Sequence, residues 1–359
     1  MAFRSRLTDA LGLRLPILQA PMLGASTIEM AAAVSRAGGL GAFAAAGTPP
    51  AAIAGEVARL AAHGQPFQVN LFVLDPADPD PAQLARAVER LKPWRIAAGL
   101  PAEARPNKWA EDSRAQLDAL IDAAPPAASF TFGCLDGRQV AALKARGTFV
   151  IGTATTVAEA RAWAAAGADA ICAQGMEAGG HRGTFLAPVE DSLVGTLALV
   201  PAVRAAVDLP VIAAGGIMDG RGIAAALLLG AEAVQLGTAF LLSPEAATNP
   251  VWRQRIADAG DDPTRLTRVI SGRYARGIEN RIMRELRGEE ADIPPYPVQN
   301  ALTAELRAAA ARAGSDAPLS LWAGQGVKAA RALPAAALVE TLWAEAEAAV
   351  AALAGRLAS

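Results

Sequence analysis

Short, continuously apolar runs punctuate the chain before residue 240, at 15–22, 40–45, 67–72, 129–133, 149–153, 170–174, 210–215 and 233–237. Glycine or proline bounds them, and between them lie stretches with alanine and leucine at helical intervals, among them 28–37, 51–63, 138–146, 157–166, 195–207 and 222–229. A run that is apolar without alternation predicts a strand covered on both faces, as in parallel sheets coated by their crossover helices. Eight such strand–helix units predict an α/β fold of the (β/α)₈ TIM barrel type. A doubly wound sheet is the competitor. Its best support, Gly39-Leu40-Gly41-Ala42-Phe43-Ala44, fits G-x-G-x-x-A but follows a helical stretch and enters a strand, the reverse of what a dinucleotide-binding turn requires.

The pattern also divides the chain. Residues 81–126 exceed what one crossover needs and predict extra helices around the third and fourth units. After the eighth strand, 243–322 is polar, helix-prone and interrupted by Pro294-Pro295-Tyr296-Pro297. The expected organisation is a barrel over 1–242, a helical substrate-side cap over 243–322, and C-terminal helices over 323–359 that return to the barrel. The alanine-rich 335–357 predicts an amphipathic surface helix.

Composition narrows the class of function. The chain is 53% hydrophobic but 5% aromatic, so small aliphatic residues must build its core. A net charge of −2 leaves no electrostatic footprint for nucleic acid or an anionic membrane, which favours a small-molecule partner. Cys134 and Cys172 are too few for a disulfide framework or a zinc site. Charges break up residues 1–14, no secretory signal is expected, and no stretch has the apolar length of a membrane span. The expected location is cytoplasmic; oligomeric state is left open.

Candidate chemistry gathers at the predicted strand ends. The sixth strand runs into Gly175-Met176-Glu177-Ala178-Gly179-Gly180-His181-Arg182-Gly183, where glycine lets backbone approach a ligand and His181 can exchange protons. A surface turn with an incidental histidine is the alternative. The loops after strands seven and eight, with Gly215, Gly216, Gly237 and Thr238, suit a phosphate cradle without lysine, although tight turning also calls for glycine. Gln19, Pro21 and Met22 close the first strand, Asn70 lies in the third and Gln174 ends the sixth. Amides buried in a barrel mouth need a polar ligand edge or each other, and a flavin would satisfy them. Gly324 and Gly326 beside Trp322 suggest backbone close to something bound. His63 precedes Gly64 at an expected helix end and is assigned no role.

Nearly end to end, the chain resembles the FMN-dependent nitronate monooxygenases, formerly called 2-nitropropane dioxygenases. The likeness rests on Gln19-Ala20-Pro21-Met22, Val69-Asn70-Leu71-Phe72, Phe130-Thr131-Phe132-Gly133, Ile151-Gly152-Thr153-Ala154-Thr155-Thr156, the stretches 173–183 and 213–221, and Gln235-Leu236-Gly237-Thr238-Ala239-Phe240-Leu241. Related flavin barrels, including enoyl reductases of fatty-acid synthesis, share the glycine-pair loops. Tyr296-Pro297-Val298-Gln299-Asn300 and Trp322-Ala323-Gly324-Gln325-Gly326 resemble the tail of the monooxygenases.

The resemblance implies FMN held by Gln19, Pro21, Met22, Asn70, Gln174, Gly179, Gly180, Gly215, Gly216, Gln235, Gly237 and Thr238, with His181 catalytic and no metal. It implies oxidation of alkyl nitronates, such as propionate 3-nitronate, by O2 to a carbonyl compound and nitrite, via one-electron transfer to FMN. His181 would remove the α-proton of neutral nitroalkanes and, when protonated, help to place the nitronate. Cys134-Leu135-Asp136 and Met176 depart from the family pattern and are expected to line the substrate pocket. An FMN-dependent NAD(P)H:quinone reductase, an enoyl-ACP reductase and a non-catalytic flavin-binding protein remain the alternatives.

Overall fold

The computed structural model describes residues 3–358. Each apolar run forms a strand: β1 Ile17–Gln19, β2 Gly41–Ala44, β3 Phe67–Phe72, β4 Ala127–Thr131, β5 Phe149–Ala154 and β6 Ala170–Gln174. After a two-residue β7, Gly180–His181, come β8 Val211–Ala214 and β9 Ala233–Leu236. The parallel order β1-β9-β8-β6-β5-β4-β3-β2 is closed by a bridge from Leu18 to Leu40, which makes a barrel.

Apolar runs without alternation are explained by two clusters that sandwich the strands. Ile17, Val69, Val150, Val211 and Val234 pack with the helices, whereas Leu18, Leu40, Ile151 and Ile212 form a second cluster. Leu7, Leu11 and Leu13 join that second cluster. The first two belong to a helix, Arg6–Leu11, which Ser5 starts with a capping box. The charged residues of this segment hid it from the apolar pattern; its leucines lie four apart, on one face. The discounted Gly39 and Gly41 serve packing, since a Cβ there would stand 2.4 Å from the Ile17 carbonyl oxygen and 2.0 Å from that of Ala31.

The long third crossover contains helices Pro81–Ala97 and Ser113–Ala123. Leu91 of the first packs with Ile282, Val298 and Leu302, beyond the eighth barrel strand. Arg86 and Arg90 reach Asp292 from the same helix. The block expected to be a helical cap does carry helices, notably Pro250–Ala257 and Val298–Ala313. It also carries β10 Thr264–Thr267 and β11 Ala275–Ile278, antiparallel to each other, with β7 added to the edge of β11. Four-residue strands give too short an alternation to stand out, and their pairing partner lies about ninety residues earlier in sequence.

The C-terminal helix, Ala335–Ala358, buries Leu338, Val339, Leu342 and Ala346. It lies so close to helix Gly220–Leu228 that a Cβ on Gly220 would stand 2.2 Å from the Ala346 nitrogen. Among the described residues no helix is long and apolar enough to cross a membrane.

Candidate active site

A cavity of about 480 Å³ opens at the C-terminal ends of the barrel strands. It is lined by Pro21, Met22, Asn70, Gln174, Gly179, Gly180, His181, Gly215, Gly216, Gln235, Gly237 and Thr238. Gln19 is the exception among the residues expected there. It is buried, donates to Ser26 Oγ at 2.9 Å and to the Ala42 carbonyl at 3.1 Å, and accepts from the Ala42 amide at 3.2 Å. Ser26 Oγ in turn accepts from the Met22 amide, so Gln19 braces the loop that carries Pro21 and Met22.

One end of the cavity is main chain. Gly215 and Gly216 have φ of 121° and 73°, where a side chain would strain the backbone. Gly216 leads to helix Gly220–Leu228, whose N-cap is Asp219, and Thr238 opens a short 3₁₀ turn. Gly324 also lines the cavity and donates its N–H to Thr238 Oγ at 2.9 Å, which leaves the threonine hydroxyl hydrogen free. A Cβ on Gly179 would stand 2.5 Å from the Ala323 carbonyl carbon. The glycines at 179 and 324 thus let two backbones meet beside the site. Amide groups at helix starts with no side chain in the way can hold the phosphate of a cofactor.

Asn70, which is buried, and Gln174, which is half-buried, both line the cavity and also find protein partners. Asn70 Nδ2 donates to the Ser129 carbonyl at 3.0 Å and to its hydroxyl at 3.1 Å. Gln174 donates to the His181 carbonyl at 3.0 Å and accepts from the Gly183 amide at 2.8 Å, so it clamps the histidine loop to its own strand end.

His181 is held from several directions. Its backbone pairs with Ala275 of β11, and its ring is surrounded by Phe72, Phe132, Tyr296 and Trp322, with centroids 5.3–6.3 Å away. Phe132 adopts a φ of 83°, rare for an aromatic residue, and stacks on Phe72 with Arg273 over its ring at 4.1 Å. Nε2 of His181 lies 2.9 Å from Ser271 Oγ. With its one hydrogen donated to the Arg273 carbonyl at 3.1 Å, the Ser271 hydroxyl accepts from Nε2–H. This hydrogen-bond accounting assigns the tautomer and leaves the lone pair on Nδ1.

The imidazole is open to the cavity, yet the cavity is itself walled by protein. Desolvation, reinforced by the cationic Arg273 and Arg307, pulls its pKa down to about 3. His181 is therefore neutral near pH 7, with its Nδ1 lone pair open to a proton but the ring held against keeping a positive charge, and so unsuited to place an anion. Tyr296 is pushed up to about 12 by burial and stays a phenol.

Pocket-lining roles expected for Cys134 and Met176 do not hold. After Phe132 the chain turns away, and Cys134 lines a separate cavity with Leu71, Val73 and Leu117. Met176 lies outside the main cavity; its backbone bonds to Val194 and Arg276. Conversely, Ser271, Arg273 and Arg307 escaped sequence reasoning, because no motif marks them, and the turn between β10 and β11 and helix Val298–Ala313 that carry them meet the barrel only in three dimensions. His63 follows helix Pro50–Ala61, beside Gly64 with φ of 68°.

Comparison with known proteins agrees with this geometry. The family model described as "Nitronate monooxygenase" matches residues 4–345. A nitronate monooxygenase of Pseudomonas aeruginosa is 46% identical over 345 residues, spanning 94% of this chain and 97% of its own. A probable nitronate monooxygenase of Staphylococcus aureus is 40% identical, over 94% and 96% of the two chains. The solved nitroalkane oxidase from Streptomyces ansochromogenes superposes with a TM-score of 0.89 at 44% identity, covering 97% of this chain and 100% of that one. FabK from Thermotoga maritima superposes at 0.76 and 31% identity, covering 98% and 99%.

Proposed function

The chain belongs to the nitronate monooxygenase family, and we propose that it oxidises alkyl nitronates with dioxygen to a carbonyl compound and nitrite, with FMN as its cofactor. The observation that carries this reading is the pairing, in one cavity, of a lysine-free glycine cradle with an uncharged imidazole whose Nδ1 lone pair is unclaimed.

The cradle fits the flavin phosphate: Gly215, Gly216, Gly237 and Thr238 offer main-chain and hydroxyl donors, and Gly179 and Gly324 leave no room for a Cβ. Pro21, Met22, Asn70, Gln174, Gly180 and Gln235 would hold the rest of the cofactor. When bound, FMN would supply the redox chemistry between an electron-rich nitronate and dioxygen. His181 is the base for substrates that arrive as neutral nitroalkanes, taking the α-proton on Nδ1 while Ser271 fixes the ring. A nitronate has already lost that proton. Residues 243–322 act as the substrate-side cap: Ser271, Tyr296 and Trp322 come from it, and its aromatic rings keep water from the site. The small-molecule partners are thus a nitronate or nitroalkane and O2. A cytoplasmic location belongs to the same proposal, supported by two cysteines that are both free thiols.

An anaerobic absorption spectrum of the purified protein tests the function, recorded before and after propionate 3-nitronate, with NADH in a parallel cuvette. Reduction by the nitronate and indifference to NADH is the expected result. Bleaching by NADH alone would replace this reading with a quinone or enoyl reductase, and no response to any of these would leave a flavin-binding protein.

A further inference from the structure

A neutral His181 leaves open what holds the charge of an anionic substrate. Arg273 is occupied: its Nε and Nη2 donate to the carbonyls of Arg182 and Thr184, and its plane covers Phe132. Arg307, on helix Val298–Ala313, lines the cavity. Its Nη1 donates to Ser320 Oγ at 3.1 Å, and its Nη2 to the Asn300 carbonyl at 2.9 Å and Oδ1 at 2.8 Å. Its Nε is buried without a partner. Among the described residues no carboxylate pairs with this guanidinium, and burial lowers its pKa only to about 10, so it is charged at neutral pH. A desolvated cation without a counter-ion is costly unless an anion compensates it.

The neighbours of Arg307 in the cavity are set up as donors. Ser320 Oγ accepts from Arg307, which frees its own O–H; Asn300 turns its oxygen to the guanidinium, which leaves its NH2 for a ligand. Both line the cavity, as does the phenol of Tyr296. Arg307 is also close enough to His181 to depress the imidazole pKa electrostatically. A fixed cation with free donors on either side suits an anion that presents two oxygens.

We propose that Arg307, with Asn300 and Ser320, is the anion-recognition subsite of this protein, and that it selects ionised nitronates over neutral nitroalkanes by holding a two-oxygen anionic group of the substrate. That group is the nitronate itself or a carboxylate on the same molecule. The inference rests on the nitronate-oxidising function proposed above.

Its test compares FMN-loaded wild type with Arg307→Met and the charge-retaining Arg307→Lys. Ethyl nitronate, propionate 3-nitronate and neutral nitroethane are assayed at one pH, the last as substrate or competitive inhibitor, and propionate binding is followed by calorimetry. Arg307→Met should raise the KM for a recognised anion about 30-fold, the effect of losing one charge-assisted hydrogen bond, with kcat within about threefold. The affinity for neutral nitroethane should stay within about threefold, and Arg307→Lys should recover most of the loss. A loss on ethyl nitronate assigns Arg307 to the nitronate oxygens; a loss confined to propionate 3-nitronate and propionate assigns it to the carboxylate. Equal loss on neutral nitroethane, or no loss on any anion, in protein of wild-type FMN content and Tm would overturn the proposal. If Arg307→Met does not fold, Ser320→Ala must weaken a recognised anion more than neutral nitroethane while Arg307→Lys stays close to wild type, and equal effects of Ser320→Ala on anion and neutral compound overturn the proposal equally. Absence of nitronate turnover in wild type would sink the functional reading alone, because propionate binding still reports on Arg307.

Discussion

An imidazole in water titrates near 6.5, and the same ring in this cavity titrates near 3 because its walls and two guanidinium groups oppose the charged form. The sign follows directly. Between about pH 6.5 and pH 3 the unfolded chain takes up a proton that the native ring refuses, so His181 costs stability as the pH falls and nothing above that range. Activity should accordingly show no limb near pH 6.5 that His181→Asn abolishes. The same variant should lower kcat/KM for neutral nitroethane by about 10²–10⁴-fold and that for ethyl nitronate by less than about tenfold. Equal losses on the two substrates would refute the role of base. Sequence marked His181 as a candidate because an imidazole among glycines after a buried strand is uncommon. It did not reveal the tautomer, which is set by Ser271, ninety residues away in sequence. Nor did it separate Gln19 from the cavity-lining residues, since a buried amide satisfied by Ala42 and Ser26 looks the same in sequence as one aimed at a ligand.

At the scale of elements, what matters is where two backbones meet. The loop after β6 and the segment 322–326 approach through Gly179 and Gly324, and Gln325 donates its N–H to the Glu177 carbonyl at 2.9 Å. Gly179→Ala would put a methyl group 2.5 Å from a carbonyl carbon that belongs to main chain and cannot swing aside. The expected cost is about 1–3 kcal/mol in urea unfolding, together with a lower flavin-to-protein absorbance ratio in the purified protein. An alanine variant with wild-type midpoint and flavin content would show that the two segments separate freely. The glycines of 322–326 were visible in sequence as a close approach, though not what they approached. The barrel strands were legible because a run buried on both faces is apolar throughout. The pair β10–β11 was not: four residues with polar neighbours carry almost no pattern, and β7 becomes a strand only because β11 lies beside it.

For the whole molecule, the last helix returns to the wall that carries the glycine cradle. Leu342 is fully buried beneath it, and Glu345 accepts from the Gly220 amide at 3.1 Å while pairing with Arg331. Leu342→Ala should therefore destabilise the protein by about 2–5 kcal/mol in urea unfolding, with flavin released at lower urea than from wild type. Unchanged unfolding would mean that the C-terminal helix is a dispensable appendage. The sequence by itself determined the number and order of the barrel strands, the loops that line the cavity and the histidine among them, because burial and chain reversal act on neighbouring residues and leave a local record. Tertiary structure alone decided the packing of Leu7 and Leu11 against the barrel strands, the β7–β11 pairing, the charge state and tautomer of His181, and the Arg307 Nε buried without a partner. Each depends on desolvation or hydrogen bonding between groups far apart in sequence, and a linear pattern keeps no trace of such meetings.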